Sequence, residues 1–560
     1  MTEKRTRKWY VADFETTSAK YYEKNKCTKV WLYSICDNNA NIINDGSCIE
    51  EFINYVKKLA GKIIYFHNLK FDGSFIIDYL LRNGYTFYDN LKDIDKGFST
   101  LIGDRGQFYS LTIKFSKKCQ VSFYDSLKLL PFKVEKIAKD FNLPILKEEI
   151  NYDDYVIDAK RLEYVHHDVQ IVAMALNIIK NEGMNKMTTA SCAFSQYTSN
   201  KSDAFLNQAF PELNSDFLLE WRLAYRGGRS QVNPYYKGKI LHNVNRYDVN
   251  SMYPNVMMNC LLPYGYPIIC DKPKTYDFEL YDIDVSFDLK KNHMPSLLKK
   301  SFALLNVCDT YYSSSGGVIN LHISSIDFEL LERNYDIYYL KFNKIYGFLT
   351  TKMLFTDYIN KWYSKKKVDK GAQRIVDKLM LNSLYGKFGS NCKGKHKIPK
   401  LKDDSVIFEN SDEEDMKKYY LPVAIAITSY AHKILDDAIQ STGITNFVYC
   451  DTDSVHTLGT LDKTMVDATE LGKFKLEGIE TCAKYVRQKC YVINDDNGLS
   501  IICAGMPEDL KEKALNKYGN DIFKVFKEGF TMEGKLLPKH VKGGVILYAT
   551  TFEIKRDIVS

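Results

Sequence analysis

The sequence predicts an α+β chain divided into several modules. Three observations carry that reading. The chain has 560 residues, too many for one core at roughly 100–200 residues per domain, so about three to five modules are expected. Strand-like and helix-like segments alternate along it, with no fixed-period repeat. Hydrophobic residues make up 45% of the chain and tyrosines number 41. That is enough apolar surface for packed interiors and excludes general disorder.

The elements follow in order. "KWYVADFE" reads as a strand ending in acids, and "GKIIYFHN" as a second β-rich run. "SSIDFELLERN" and "VDKLMLNSLYGKF" have helical apolar spacing, and "VAIAITSYAHKILDDAI" reads as a helix burying one face. "NFVYC" and "SVHTL" read as two short strands. Breaks are expected near Lys186, near Tyr264, and from Ser390 to Tyr420.

Net charge is +7, but its distribution says more. Residues 361–402 hold 13 Lys/Arg against two acids, and Asp403–Asp415 holds seven acids and no base. A charge run can be a solvated face. Here it overlaps helical apolar spacing and aromatics, which favours a polyanion-facing surface. The 13 cysteines form no CxxC pair, which argues against a disulfide framework or zinc site and fits a reducing cytosol. The basic N-terminus lacks a signal peptide's apolar core. No apolar run reaches the ~20 residues that span a bilayer. A soluble intracellular protein is expected.

Three fragments carry paired chemistry. Asp451 and Asp453 flank Thr452 where the two short strands connect. Residues i and i+2 of a strand share a face, and two carboxylates there suit a magnesium ion. Asp-Thr-Asp is equally acceptable turn chemistry. Asp248 follows a β-prone run in "RYDVNSMYPNVMM", where it could serve as a cap or a ligand. Pro254 should end strand pairing and free the backbone of Asn250–Tyr253 to face a ligand. On the helix "KLMLNSLYGKFG", Lys378, Asn382 and Tyr385 fall at i, i+4 and i+7. Lys378 is either solvated or a phosphate ligand, and Tyr385 could stack a base. Leu379, Leu381 and Leu384 can pack inward, and Gly386 permits close approach near the helix end.

In this order the fragments resemble motifs A, B and C of family B DNA polymerases. Asp248 to Pro254 is similar to motif A, Lys378 to Gly386 to motif B, and Tyr449 to Ser454 to motif C. The resemblance implies a magnesium site of two ions, with manganese as an alternative, held by Asp248 and Asp453 with Asp451 as a third ligand. It implies that Lys378 grips the incoming triphosphate and Tyr253 stacks under the sugar and excludes a 2′-hydroxyl. Tyr385 would line the base-pair pocket with Asn382 beside it. Lys489-Cys490-Tyr491 resembles the Lys-x-Tyr motif that holds the primer.

A second acid set precedes these. Asp13 and Glu15 share a face of the first strand, "YFHNLKFDGSF" supplies Asp72, and "YVHHDVQ" supplies Asp168 with Tyr164 one turn earlier. Four carboxylates suit a two-magnesium hydrolytic site, with Tyr164 orienting water. These fragments resemble the motifs of a 3′–5′ proofreading exonuclease. Asn68 and Phe71 match positions that contact a frayed strand. Ser126, Leu127 and Lys147 are similar to strand-holding or catalytic-support elements. His67, His166 and His167 are read as structural or solvent-facing rather than as ligands.

The "YRGGRS" segment, Tyr225–Ser230, resembles a Tyr-x-Gly-Gly element that contacts template, with Gly227 and Gly228 free to approach a phosphate chain; a plain glycine turn is the other reading. An insertion near 261–347 containing "SSSGGVINLHISSIDFELL", a second at 390–420, and the C-terminal "AGMPEDL" resemble the protein-primed branch of tailed bacteriophages. The implied fold is α+β and multidomain: a ribonuclease H-like 3′–5′ exonuclease domain over 1–186, then a right-hand polymerase. Its palm is expected at 187–260 and 421–520, with fingers at 351–389 and thumb at 521–560. Terminal-protein-region insertions are expected at 261–350 and 390–420. The implied partners are template and primer DNA, deoxynucleoside triphosphates and a terminal protein, for a monomer in the cytoplasm of an infected bacterium. The departures are slight: Met252 in motif A, Arg229 after the glycine pair, and Cys490 within Lys-x-Tyr. The last two touch elements expected to face DNA. A non-catalytic DNA-binding factor would have lost some of these acids, and all are present; a nuclease whose polymerase half only positions DNA is a third reading, which Asp13→Ala and Asp72→Ala would separate.

Overall fold

The structure is a computed structural model describing residues 8–147, 154–299 and 311–555; the basic segment 1–7 lies outside them. The N-terminal unit is built on a seven-stranded sheet. Its order is Ile42–Gly46, Val30–Asp37, Trp9–Thr16, Ile63–Phe66, Cys119–Asp125, Phe108–Ser116, Gly97–Ile102. Trp9–Thr16, Ile63–Phe66 and Cys119–Asp125 run parallel at its centre. A central parallel strand is covered on both faces, which is why Ile64, Tyr65 and Phe66 are all buried. Along Trp9–Thr16, Ala12 and Phe14 are buried on one pleat, while Asp13 and Glu15 are half-buried on the other, which buried Val11 shares.

The central unit is a five-stranded sheet in the order Phe474–Glu480, Val244–Val249, Ser454–Thr457, Phe447–Asp451, Ser230–Val232. The helix Leu421–Thr442 packs behind it. The sequence predicts one buried face for this helix, but every residue from Leu421 to Ser429 is buried. It lies between the sheet and the helices Met252–Asn259, Ser325–Asn334 and Gly371–Phe388, so no side of its first half meets water.

A third unit is inserted between Asp248 and Lys378. It is a four-stranded sheet, Leu262–Ile269, Tyr335–Thr351, Phe278–Leu289, Ile319–Ser324, with the helix Ser325–Asn334. The break expected at Tyr264 therefore falls within a strand, because Leu262–Ile269 is already the edge of the inserted sheet. The break at Lys186 falls between the helices Ala159–Asn181 and Thr189–Ser199. The charged stretch folds as the hairpin Lys397–Lys402 and Ser405–Asn410, whose charges partly pair across strands, as in Lys400–Glu409 at 2.6 Å.

The C-terminal unit joins the sheet Gly498–Cys503, Cys490–Asp495, Cys482–Arg487, Ile240–Leu241 to the hairpin Thr531–Val541 and Gly544–Glu553. One apolar cluster runs from Val486 through Leu510 and Phe523 to Ile554. A boundary at 520 divides residues that share this core. Among the described residues no helix is long and apolar enough to cross a membrane.

Candidate functional site

Asp248 lies near the end of Val244–Val249, opposite Ser454 on the neighbouring antiparallel strand. Val249 N–H donates to the carbonyl of Asp453 at 2.8 Å. This brings Asp248 beside Asp453 from more than 200 positions away. The pair carries a cost. Burial, the charge of Asp453 and that of Glu477 push the Asp248 carboxyl up to about 7. Asp453 is raised by burial and by Asp451.

Asp451 behaves differently from the sequence expectation. The strands pair Asp451 with Ser454, so Thr452 and Asp453 form a two-residue hairpin turn, and Thr452 has φ +59°. The chain bends between the two acids, and they do not share a strand face. Asp453 lines the same cavity as Asp248, whereas both oxygens of Asp451 are held by Lys489 Nζ, at 2.9 and 3.0 Å. The turn residue was legible in the composition; the lysine 38 positions away was not.

The cavity beside Asp248 and Asp453 measures about 460 Å³. The helix Gly371–Phe388 presents Lys378, Asn382 and Tyr385 to it, while Leu381 and Leu384 pack into the core. Leu379 is only half-buried. Three further cations line it that the sequence reading missed, Lys366, Arg374 and Lys475. Arg374 sits one helical turn before Lys378, so the same spacing argument would have found it. Lys366 comes from the helix Thr356–Val368 and donates to Ser251 Oγ at 2.8 Å. Burial, Arg374 and Lys378 lower its ammonium below the usual lysine range.

The expectation for Pro254 needs correction. The chain does end strand pairing here, but by starting the helix Met252–Asn259, with Pro254 in the first turn where its missing N–H costs nothing. Tyr253 is thereby fixed at the cavity wall, its ring stacked on Tyr385 at 4.0 Å and 26°.

Tyr225–Ser230 buttresses the acidic turn. Arg229 O accepts from Thr452 N at 2.7 Å, and Gly227 O accepts from His432 Nε2 at 2.6 Å. A Cβ on Gly228 would stand 2.8 Å from Thr452 Oγ1, so glycine is required by packing on the turn. Neither glycine adopts a positive φ. Tyr225 closes on Gly389, where a Cβ would meet its hydroxyl at 2.5 Å. Arg229 is 1% exposed and ion-paired to Asp436 at 2.7 Å, and Cys490 is buried opposite Cys503. Both side chains are buried. Tyr491 is half-buried against Tyr449 and Tyr485, with ring centroids 5.2 and 5.1 Å away.

Three acids of the second set lie together. One carboxylate oxygen each from Asp13, Glu15 and Asp168 lies within 4.8 Å of the others. Asp72 is buried in the first turn of Leu69–Arg82, and burial with the charges of Asp13 and Glu15 holds its carboxyl well above the usual range. Burial and Asp168 push Asp13 up to about 7. Lys147 ion-pairs with Asp168 at 2.6 Å and lies over the Tyr164 ring. Tyr164, one turn before Asp168, hydrogen-bonds the same carboxylate.

Asn68 is exposed and held at φ +74°, and Phe71 is half-exposed beside it. Ser126 is buried, its hydroxyl donating to Phe66 O at 3.0 Å and meeting His67 Nδ1 at 3.0 Å. It supports the site from within rather than touching a strand; Leu127 beside it is half-buried. The sequence reading missed Asp125. This buried carboxylate accepts from the backbone N–H of Asn68 at 3.0 Å, Leu69 at 3.3 Å and Leu127 at 3.1 Å. His67 and His166 have protein partners, Phe132 O and Asp45 respectively, and His167 approaches Glu163 only to 4.0 Å.

These two acid centres sit in a chain whose relatives are unambiguous. The family model for DNA polymerase type B, organellar and viral, matches residues 53–156 and 151–470. The DNA polymerase of Bacillus phage phi29 is 35% identical over 588 residues, covering 98% of this chain and 99% of that one. That of Streptococcus phage Cp-1 is 32% identical, covering 98% of each. Solved phi29 DNA polymerase structures superpose at 34% identity over 98% of this chain and 100% of theirs. The TM-score is 0.90 for an orthorhombic crystal form and 0.89 for the complex with primer-template DNA and incoming nucleotide substrates. The chain belongs to the type B DNA polymerases of organelles and viruses, and its fold is the multidomain α+β fold of the phi29 enzyme.

Proposed function

We propose that the chain extends a DNA primer on a template at the Asp248–Asp453 centre and removes mispaired 3′ ends at the Asp13–Asp72–Asp168 centre. Synthesis would start from a hydroxyl of a terminal protein and proceed with strand displacement, in the cytoplasm of an infected bacterium and by a monomer. The observation that carries this reading is the pairing of Asp248 and Asp453 across one cavity from Lys366, Arg374 and Lys378. The five-stranded sheet serves as palm, the helices over 356–388 as fingers, and the C-terminal hairpin as thumb. The N-terminal unit serves as a ribonuclease H-like exonuclease domain.

The carboxylates at both centres fit magnesium ions. Each set consists of hard oxygen donors whose mutual repulsion is incompletely offset by protein cations. Asp248 and Asp453 would hold the ions at one centre; Asp13, Glu15, Asp72 and Asp168 at the other. When bound, paired dications supply activation of an attacking oxygen and stabilisation of the leaving one. The protein's part is positioning. Lys378, Arg374 and Lys366 neutralise and orient a triphosphate. The Tyr253 ring, pinned by Tyr385, closes the space beneath a deoxyribose where a 2′-hydroxyl would need room. Lys489 stands where a primer phosphate could take it from Asp451. At the second centre Tyr164 and Lys147 orient water and a phosphate beside Asp168.

Labelled deoxynucleotides incubated with the enzyme and a candidate terminal protein, without any oligonucleotide, test the initiation step; label should become covalent on the protein. Separately, Asp13→Ala should abolish degradation of a single strand while primer extension continues. Loss of both activities together would argue against two centres.

A further inference from the structure

We propose that Glu220, Asp282 and His322 form a site for one divalent cation of the zinc class, joining the inserted sheet to the helix that leads into Tyr225–Ser230. Asp282 and His322 are directly opposed on the antiparallel strands Phe278–Leu289 and Ile319–Ser324. Glu220 reaches them from the helix Ser215–Trp221. One ligand atom from each lies within 4.8 Å of the other two. Tetrahedral zinc–ligand bonds of about 2.0–2.2 Å place donors about 3.4 Å apart, so the three side chains would draw together around the ion.

The arrangement is more than an acidic cluster. The His322 side chain is 10% exposed, and its Nε2 is buried without a hydrogen-bond partner. That nitrogen lies 3.5 Å from Glu220 Oε1 without hydrogen-bonding it. A buried ring nitrogen without a partner is costly unless something occupies the space before it. The ring itself is fixed by the Trp221 indole, edge-on at 5.1 Å and 69°. Asn320 Nδ2 donates to Asp282 Oδ1 at 2.6 Å, which orients the carboxylate and leaves its second oxygen free to coordinate. Lys344 now neutralises part of Glu220, with Nζ 2.5 Å from Oε1, but its side chain is 49% exposed and can withdraw into water. One ammonium leaves the two carboxylates with excess negative charge, which a dication removes. Imidazole together with carboxylates selects a zinc-class ion over magnesium, which prefers oxygen throughout.

The test is equilibrium dialysis of the full chain against zinc with magnesium in large excess, the bound zinc being counted in wild type, His322→Ala and Asp282→Asn. Wild type should retain one equivalent more than either variant, and zinc should raise its melting temperature but not theirs. Both variants should extend primers like wild type, and Asp282→Asn, nearly isosteric, guards against a folding defect in His322→Ala. Equal zinc content in all three proteins, or none in wild type, would overturn the site.

Discussion

Two acids two positions apart are assigned different work. Asp453 faces Asp248 in the cavity, while Asp451 is bridged by Lys489. Removing Asp453 should therefore cost far more than removing Asp451. For Asp453→Ala the loss in kcat/KM for nucleotide incorporation should be about a thousandfold, the scale seen when a charge-stabilising group leaves a reacting centre. Asp451→Ala should lose roughly tenfold and also weaken primer binding, because Lys489 is then unrestrained. Equal losses would defeat the distinction. Asp125 makes the corresponding case at the other centre. Its carboxylate gathers three N–H groups, two of them at the start of the helix that carries Asp72. Asp125→Ala leaves the buried Leu69 N–H unpaired, at about 1–3 kcal/mol, releases the two partly buried donors beside it, and should displace Asp72. Single-strand degradation should fall about a hundredfold with primer extension intact. Asp125→Asn, which keeps the accepting oxygen, should recover most of it.

At the scale of elements, the catalytic hairpin depends on a neighbour that contributes no charge. Thr452 N–H is held by Arg229 O, and the Thr452 side chain fills the space above Gly228. In Gly228→Ala the new methyl would stand 2.8 Å from Thr452 Oγ1 and 3.2 Å from its Cβ. The turn must then move, and Asp453 with it. Incorporation should drop at least tenfold, a shift of about 1.4 kcal/mol in barrier height, and recover partly in Gly228→Ala with Thr452→Ala. Wild-type activity in the single variant would remove the buttress. This contact also marks what local pattern can and cannot reveal. The face of Gly371–Phe388 was readable because i, i+4 and i+7 geometry is a property of the helix alone. The acids of Trp9–Thr16 were readable because alternation is a property of the strand. Lys489 on Asp451, Arg229 on Asp436 and Asp125 on the start of Leu69–Arg82 were not readable, since each joins segments that only the tertiary fold brings together. Sequence spacing left open whether Asp451 and Asp453 share a strand face or flank a turn, because only the pairing of Asp451 with Ser454 decides between the two.

The whole molecule closes on itself at one junction. The charged hairpin Lys397–Asn410 and the tip of the C-terminal hairpin both meet the helix Leu69–Arg82 of the N-terminal unit. Asp404 accepts from Arg82 at 3.0 Å and Lys542 at 3.1 Å, and Thr28 N–H donates to Lys542 O at 2.9 Å. Beneath these, Val406 and Val545 are buried in the N-terminal core, and Phe408 lies between Phe108 and His540. Magnitudes decide which layer holds the closure. Asp404 is 63% exposed, and exposed ion pairs contribute about 0–1 kcal/mol. A fully buried valine or phenylalanine contributes about 1.5–3 kcal/mol. The apolar layer therefore dominates, and the closure should resist salt. If the closed junction keeps DNA from leaving, Val406→Ser should shorten the product made in one binding event on a primed circular strand, with competitor DNA trapping released enzyme. Asp404→Ala should change that length little, at low salt or high. A shortening by Asp404→Ala as large as that by Val406→Ser would show that charge, not buried apolar surface, keeps the molecule shut.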